Sequence, residues 1–318
     1  MTSTLKGFDV TDFEYESKEA GILIPASLLA PKQLQPGKHA VIIRWHGGCF
    51  ITGHRLFPRW YGSWTLELAL TKSAIVLAPD YRLLPEACGP DILQDVKGFY
   101  SWLATKGGRH LATLLPAGIQ LDLQHLLVFG ESAGGWMAVQ SAFLPESRAS
   151  VAAVVARYPM LDLRDTHYCE AYEKTIFHPP ALPLSRDIAD KHVAEIEGRP
   201  VVTSAFPPER TPLVVSAMQH GLLGQWLGED SSLYPIDLLD TEKIDTPIWI
   251  LHGLEDNVVP IEGTYRFVHK LRTTSPANKI HLTYEPGMHG FDNEANATLD
   301  TEWVRSGLTF IGDFWPRV

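Results

Sequence analysis

The sequence predicts a doubly wound, mostly parallel α/β sheet with an inserted helical cap. Several short aliphatic runs do not alternate polar with apolar residues, which is typical of strands buried on both faces. Segments with helical spacing lie between these runs, and such regular alternation indicates parallel strands joined by helical crossovers. The runs are residues 39–45, 73–79, 125–130, 151–159, 246–253 and 279–287. The predicted helices span roughly 58–72, 91–106, 133–144, 261–274 and 299–314.

Two regions depart from this alternation. The stretch "FEYESKEAGILIPASLLAP" predicts one or two antiparallel strands, so that residues 1–38 add to the sheet edge or to the cap. The residues between "YPMLDL" and "TPIWILHG" lack a convincing buried strand, and a structureless loop of that length is improbable in a compact domain. We therefore expect residues 1–162 and 244–318 to form the main domain and residues 163–243 to form a helical cap.

Composition excludes several classes of function. The 318 residues carry a net charge of −10, which disfavours nucleic acid and anionic membranes as partners. No run approaches the ~18 apolar residues that a membrane span needs. Three cysteines without a CxxC pair favour a reducing, cytoplasmic location over a disulfide framework. Since HExxH, GxGxxG and Walker motifs are missing, we predict no metal and no cofactor.

The stretch "LLVFGESAGGWMAV" places Ser132 at a sharp turn between a predicted strand and a predicted helix. Gly130 and Gly134 remove β-carbons that would collide in such a turn. The turn presents the serine hydroxyl at a helix N-terminus, where free N–H groups and the helix dipole favour negative charge. This context predicts a nucleophilic serine, and the structural alternative is a tight turn that only needs small residues.

A serine hydroxyl needs a base to take its proton and a carboxylate to orient that base. Asp256 follows one buried strand in "WILHGLEDNVVP", and His289 follows the next in "YEPGMHGFD". We therefore predict Ser132, Asp256 and His289 as the catalytic residues. Glu255 competes for the acid role, whereas Asp292 follows the histidine too closely along the chain to orient it.

Five motifs jointly resemble the hormone-sensitive-lipase-like carboxylesterases of the α/β-hydrolase fold, which have an eight-stranded type of sheet. They are "HGGCF", "DYRLLPE", "GESAGG", "HGLEDNVVP" and "GMHGF", between residues 46 and 291. The resemblance implies that the N–H groups of Gly48 and Cys49 form an oxyanion hole, together with that of Ala133 after the serine. Cys49 replaces the third glycine of the family motif, and we interpret it as a backbone donor whose side chain narrows the pocket.

Other residues receive supporting roles. His46 is expected to orient the oxyanion loop by hydrogen bonding, and Arg82 and Glu86 are expected to pair beneath it. An apolar group around Trp226 in the cap either contacts the substrate or only attaches the cap to the sheet. The other members of this group are Met218, Leu222 and Leu223.

The resemblance implies a serine hydrolase that cleaves small-molecule carboxylic esters through an acyl-enzyme intermediate. We expect a monomer or homodimer without a cofactor, a nucleic-acid partner or a membrane span. Three alternatives stay open: a serine peptidase or amidase, a biosynthetic thioesterase, lactone-forming enzyme or cyclase, and a binding module built on this fold. The binding module ranks last because such proteins typically lose a triad member, and all three residues are present here. Fold alone does not decide among these functions.

Overall fold

The computed structural model describes residues 3–17, 21–293 and 297–316. Its strands are β1 (Phe8–Ser17), β2 (Ile22–Pro31), β3 (Gly37–Trp45), β4 (Ile75–Pro79), β5 (Ile119–Glu131), β6 (Val151–Arg157), β7 (Ile248–Gly253) and β8 (Ile280–Glu285). Within the described ranges they form one eight-stranded sheet in the order β1-β2-β4-β3-β5-β6-β7-β8. The strands from β3 to β8 pair in parallel, whereas β2 pairs antiparallel with both β1 and β4.

Helices connect these strands and fill both faces of the sheet. Four of them precede β6: α1 (Ser63–Thr71), α2 (Gly89–Trp102), α3 (Gly108–Thr113) and α4 (Ala133–Phe143). Helices α5 (Thr166–Cys169), α6 (Asp187–Ala194), α7 (Thr211–Gln219), α8 (Leu223–Leu227) and α9 (Pro235–Leu238) lie between β6 and β7. Helices α10 (Ile261–Thr274) and α11 (Glu302–Gly312) follow β7 and β8. Over the described residues, no helix combines the length and apolar character that a membrane crossing requires.

Strand β3 shows why the aliphatic runs do not alternate in polarity. Val41, Ile43 and Trp45 face a core that α2 and α4 complete, whereas Ala40 and Ile42 face a second core with α1 and α11. A strand covered on both faces therefore has a nearly continuous apolar run, here interrupted by the buried Arg44. The doubly wound, mostly parallel architecture confirms the predicted fold class. Strand β8 is the exception, because it lies at the sheet edge and only Thr283 is buried.

Residues 163–243, here called the inserted segment, carry helices α5 to α9 and no strand. An isolated antiparallel bridge joins Ala205 to Gly53, in the loop after β3. The Gly53 N–H donates to Ala205 O at 2.8 Å, and the Ala205 N–H donates to Gly53 O at 2.7 Å. The N-terminal residues supply β1 and β2 at the opposite sheet edge from β8. The inserted segment therefore contacts the loop in which the oxyanion donors are predicted.

The predicted pairing of Arg82 with Glu86 is wrong. Arg82 Nη2 lies 2.8 Å from Asp95 Oδ1 in α2. Glu86 accepts from Arg210 of the inserted segment at 2.6 Å and lies 2.9 Å from His192 Nε2. Residues 82–86 form an irregular turn, so side chains four positions apart do not face each other as they would on a helix.

Candidate active site

Ser132 lies alone between the end of β5 and the start of α4, with φ 57° and ψ −119°. A β-carbon on Gly130 would lie 1.9 Å from Gly134 O, and one on Gly134 would lie 2.1 Å from a main-chain oxygen at the end of β3. Glycine is therefore required at both positions of this turn. The Oγ of Ser132 is buried and makes no hydrogen bond within the described part of the chain.

Asp256 follows β7 and contacts the ring of His289. Its Oδ2 accepts from His289 Nδ1 at 2.8 Å, while its Oδ1 accepts the N–H groups of Val258 and Val259, both at 2.9 Å. Burial alone would raise the pKa of Asp256, but His289 and the nearby His252 outweigh it and hold this pKa well below its usual value. The carboxylate is therefore ionised at neutral pH and holds the Nδ1 side of the imidazole.

The two other acids near this loop have different partners. Glu255 Oε2 accepts the main-chain N–H of Gly287, in the loop that leads to His289. Asp292 binds the side chain of Arg157, with 2.6 Å between its Oδ2 and Nε of the arginine. Asp256 is thus the carboxylate that contacts the imidazole of His289.

The loop after β3 carries the predicted oxyanion donors Gly48 and Cys49. Gly48 has φ 108°, and a β-carbon there would lie 1.9 Å from a main-chain oxygen of the same loop. Cys49 and Phe50 also adopt left-handed conformations, with φ 53° and 62°. Within residues 3–17, 21–293 and 297–316, the N–H groups of Gly48 and Cys49 donate to no acceptor. Ala133 begins α4, so its N–H has no partner inside the helix.

The thiol of Cys49 is buried, and burial together with the charge of Asp256 raises its pKa to about 12. At neutral pH the side chain is an unreactive thiol, because the thiolate is the form that attacks and binds metals. All three cysteines are free. Among the described residues, no group of three His, Cys, Asp or Glu side chains is arranged to hold a metal ion. The geometry thus favours a role of Cys49 through its backbone.

His46, which begins this loop, is completely buried. Its Nδ1 lies 2.8 Å from Gly47 O, and its Nε2 lies 3.3 Å from Asp80 Oδ1. Its ring stacks on Tyr81 with 4.4 Å between centroids, and the tyrosine hydroxyl donates to His46 O at 3.0 Å. These contacts hold the start of the loop that carries Gly48 and Cys49.

A cavity of about 360 Å³ brings the predicted residues together: Ser132, Gly48, Cys49 and His289 line it. Asp256 is buried behind His289. Sequence reasoning missed most of the remaining wall, which includes Trp60, Phe177, His178, Pro207, Thr211 and Val214. The group around Trp226 packs into the hydrophobic core and does not line this cavity.

Two family models and two curated carboxylesterases match this chain. A model of the α/β-hydrolase fold matches residues 42–194, and a model of the dienelactone hydrolase family matches residues 213–307. The chain is 33% identical to the probable carboxylesterase M8 of Phoma sp., over 98% of each protein. It is 34% identical to the probable carboxylesterase clz11 of Cochliobolus lunatus, over 58% of this chain and 86% of that protein.

Two further matches, one to a much longer protein and one to a solved structure, cover different shares of the proteins matched. The chain is 24% identical to the non-reducing polyketide synthase adrD of Penicillium roqueforti, over 93% of this chain but 13% of the synthase. A thermostable esterase from Pseudomonas putida superposes with a TM-score of 0.65 at 16% identity, over 99% of this chain and 86% of that one, which shows the shared fold. The identity to M8 over nearly the whole chain confirms the resemblance seen in the motifs: the chain belongs to the carboxylesterases of the α/β-hydrolase fold and is an esterase-type enzyme.

Proposed function

We propose that this enzyme hydrolyses small-molecule carboxylic esters through an acyl-enzyme intermediate, without a cofactor. The observation that carries the proposal is the 2.8 Å contact between His289 Nδ1 and Asp256 Oδ2, beside the cavity that Ser132 lines. A histidine that donates its Nδ1–H to a carboxylate has an unprotonated Nε2, which is the tautomer that a general base needs.

In the acylation step, the Oγ of Ser132 attacks the ester carbonyl carbon while Nε2 of His289 takes its proton. Asp256 stabilises the imidazolium that forms. The tetrahedral intermediate then collapses, and the leaving alcohol takes the proton from His289. A water activated by the same imidazole releases the acid and restores the serine. The hydrogen bond of Ser132 forms with substrate, because such contacts often tighten only in the Michaelis complex.

The N–H groups of Gly48, Cys49 and Ala133 stabilise the oxyanion of the intermediate. Two features support this role: the donors of Gly48 and Cys49 have no other acceptor in the described chain, and Ala133 is at a helix N-terminus. Losing one such donor typically costs about 10²–10³ in turnover. A cysteine serves in this role because only its backbone N–H is used.

We assign residues 1–162 and 244–318 to the catalytic domain and the inserted segment to a cap that selects the substrate. The support is the cavity wall, since Phe177, Pro207, Thr211 and Val214 all come from the inserted segment. Their side chains are mostly apolar, which favours substrates with an apolar acyl or alcohol group over charged ones.

A thioester is the second candidate substrate, and the similarity to 13% of a polyketide synthase favours it. The same steps apply to a thioester, with a thiol as the leaving group. A p-nitrophenyl ester and an N-acetylcysteamine thioester of the same acyl chain, compared by kcat/KM, separate the two candidates.

The first test of the proposal is the intact mass after exposure to a fluorophosphonate, which labels activated serines. We expect one adduct on wild type and on Cys49→Ala, and none on Ser132→Ala. An adduct that persists on Ser132→Ala would show that a residue other than Ser132 is the nucleophile. An unlabelled wild type would contradict an activated serine altogether.

A further inference from the structure

Four buried charged side chains form a continuous row beside the active site, where Glu131 also lines the cavity. We call Arg44, Glu131, Arg157 and Asp292 the charge chain; none is more than 4% exposed. Arg44 lies in β3 just before the oxyanion loop, Glu131 directly precedes Ser132, Arg157 ends β6, and Asp292 lies three residues after His289. Two positive and two negative charges balance, which is how charges persist inside a protein.

The members contact each other in order. Asp292 accepts two hydrogen bonds from Arg157, at 2.6 Å to Nε and 3.1 Å to Nη2. Nη1 of Arg157 lies 3.6 Å from Oε2 of Glu131, whose Oε1 accepts from Arg44. Burial disfavours the charge on Arg157, but Asp292, Tyr158 and Glu131 outweigh it and raise the pKa of this guanidinium. Arg157 therefore stays a cation that both carboxylates share.

Three members of the charge chain contact the loops around the active site. Oε1 of Glu131 accepts the main-chain N–H of Gly47 at 3.2 Å, one residue before the first predicted oxyanion donor. Arg157 also donates to the hydroxyl of Tyr158 at 3.2 Å, and the ring of Tyr158 contacts His289 with 4.6 Å between centroids. Asp292 anchors the loop of His289 from the other side, where its Oδ2 also accepts from a tryptophan of α1 at 3.1 Å.

We propose that the charge chain positions the oxyanion loop, the nucleophile turn and the histidine loop relative to one another, with Glu131 as a positioning residue. The inference rests on the hydrolytic function proposed above. Glu131 accepts the N–H of Gly47, which fixes the position of this residue. The next two N–H groups, of Gly48 and Cys49, have no acceptor in the described chain and are available to the oxyanion. Moving one loop alone would separate buried opposite charges. Because this separation costs free energy, the loops are expected to keep fixed positions relative to one another. Such control matters because a displacement of about 1 Å can cost about 10²-fold in rate.

The test compares Glu131→Gln and Asp292→Asn with wild type on p-nitrophenyl butyrate. Both changes keep side-chain size and remove one charge. We expect kcat to fall about 10- to 100-fold while KM changes less than about threefold. Because both variants break one connected row, the double variant should lose less than the product of the single losses.

Asp122→Asn is the matched control. Asp122 is also buried on β5, at the end of the strand away from Ser132, where it pairs with Lys38 at 2.9 Å and lies 2.9 Å from His125. This variant should lower the melting temperature and leave kcat unchanged.

Two results would overturn the inference. The first is a lower melting temperature with wild-type kcat in Glu131→Gln and Asp292→Asn, as for the control, which would make the charge chain a purely stabilising feature. The second is strict multiplication of the two losses in kcat, which would mean that the loops are held independently. If Glu131→Gln does not fold, the test rests on Asp292→Asn alone: a kcat lower by about 10- to 100-fold supports the inference, and a wild-type kcat overturns it. A wild type that neither turns over the ester nor takes a fluorophosphonate would instead contradict the proposed function.

Discussion

Replacing Asp256 by asparagine would reverse the tautomer of His289. Oδ1 of Asp256 accepts two main-chain N–H groups, from Val258 and Val259, both at 2.9 Å. An asparagine has one oxygen and one NH₂ group, so these two donors keep its oxygen and turn the NH₂ group toward His289. Nδ1 of the imidazole must then accept a hydrogen bond, and the ring proton moves to Nε2. A protonated Nε2 cannot take the proton of Ser132.

We expect kcat of Asp256→Asn to fall about 10⁴-fold, the loss known for the same change in a protease triad, or about 5 kcal/mol of barrier. KM should change little, because Asp256 is buried behind His289. The assay is the hydrolysis of a p-nitrophenyl ester at pH 7, with melting temperatures to establish folding.

Glu255→Gln is the control, since glutamine keeps an oxygen for the N–H of Gly287. Its kcat should stay within about fivefold of wild type. The reasoning is refuted if Asp256→Asn keeps more than about a tenth of wild-type kcat, or if Glu255→Gln is equally damaging.

Three further tests, two by substitution and one by alkylation, probe the predicted oxyanion loop, the inserted segment and the buried thiol. Gly48→Ala should lower kcat at least about 100-fold, because its β-carbon would lie 1.9 Å from Thr52 O. Gly198→Ala, also at positive φ but with open space around it, should cost only about 1 kcal/mol in urea unfolding and leave kcat unchanged. Burial lowers the pKa of Lys174 from 10.5 to about 8, so the folded chain binds fewer protons than the unfolded chain between these values. The free energy of unfolding should therefore rise between pH 8 and 10.5 by roughly 1–3 kcal/mol relative to Lys174→Met, and a flat difference would contradict this. Iodoacetamide at pH 8 should leave Cys49 unmodified by peptide mass analysis and the activity intact, because burial and a nearby carboxylate raise the pKa of this thiol to about 12.

The positions of Ser132, Asp256 and His289 could be predicted because each follows a strand that its apolar run identifies. The carboxyl ends of parallel strands meet at one edge of a sheet, so residues far apart in sequence come together there. The turn at Ser132 is local at Gly130, where a β-carbon would lie 1.9 Å from Gly134 O, whereas the space at Gly134 is limited by a main-chain oxygen at the end of β3. The strand-to-helix context alone was enough to predict the turn, although one of its two close contacts is distant in sequence.

The ion pairs could not be predicted from the sequence, because their partners are far apart along the chain. Arg82 and Glu86 stand four residues apart, yet each pairs elsewhere, and the partner of Glu86 is 124 residues away in Arg210. The charge chain is similar, because Arg157 meets Asp292 over 135 residues. Spacing predicts a contact only where the backbone is regular, and loops at the edge of the sheet are not.

The inserted segment contacts the main domain through bonds that its sequence did not predict. These contacts link the wall of the cavity to the loop that carries Gly48, so substrate specificity and turnover are not expected to depend on separate residues. Thr52 Oγ1 donates to Ala205 O at 3.2 Å, and Arg210 donates to Ile51 O at 2.9 Å. Together with the bridge between Ala205 and Gly53, these bonds attach the segment to the loop that carries Gly48. A loop that is held from above by this segment and from behind by Glu131 has little freedom of its own. If the N–H groups of this loop serve as the proposed oxyanion donors, we expect substitutions in the inserted segment to change kcat as well as KM.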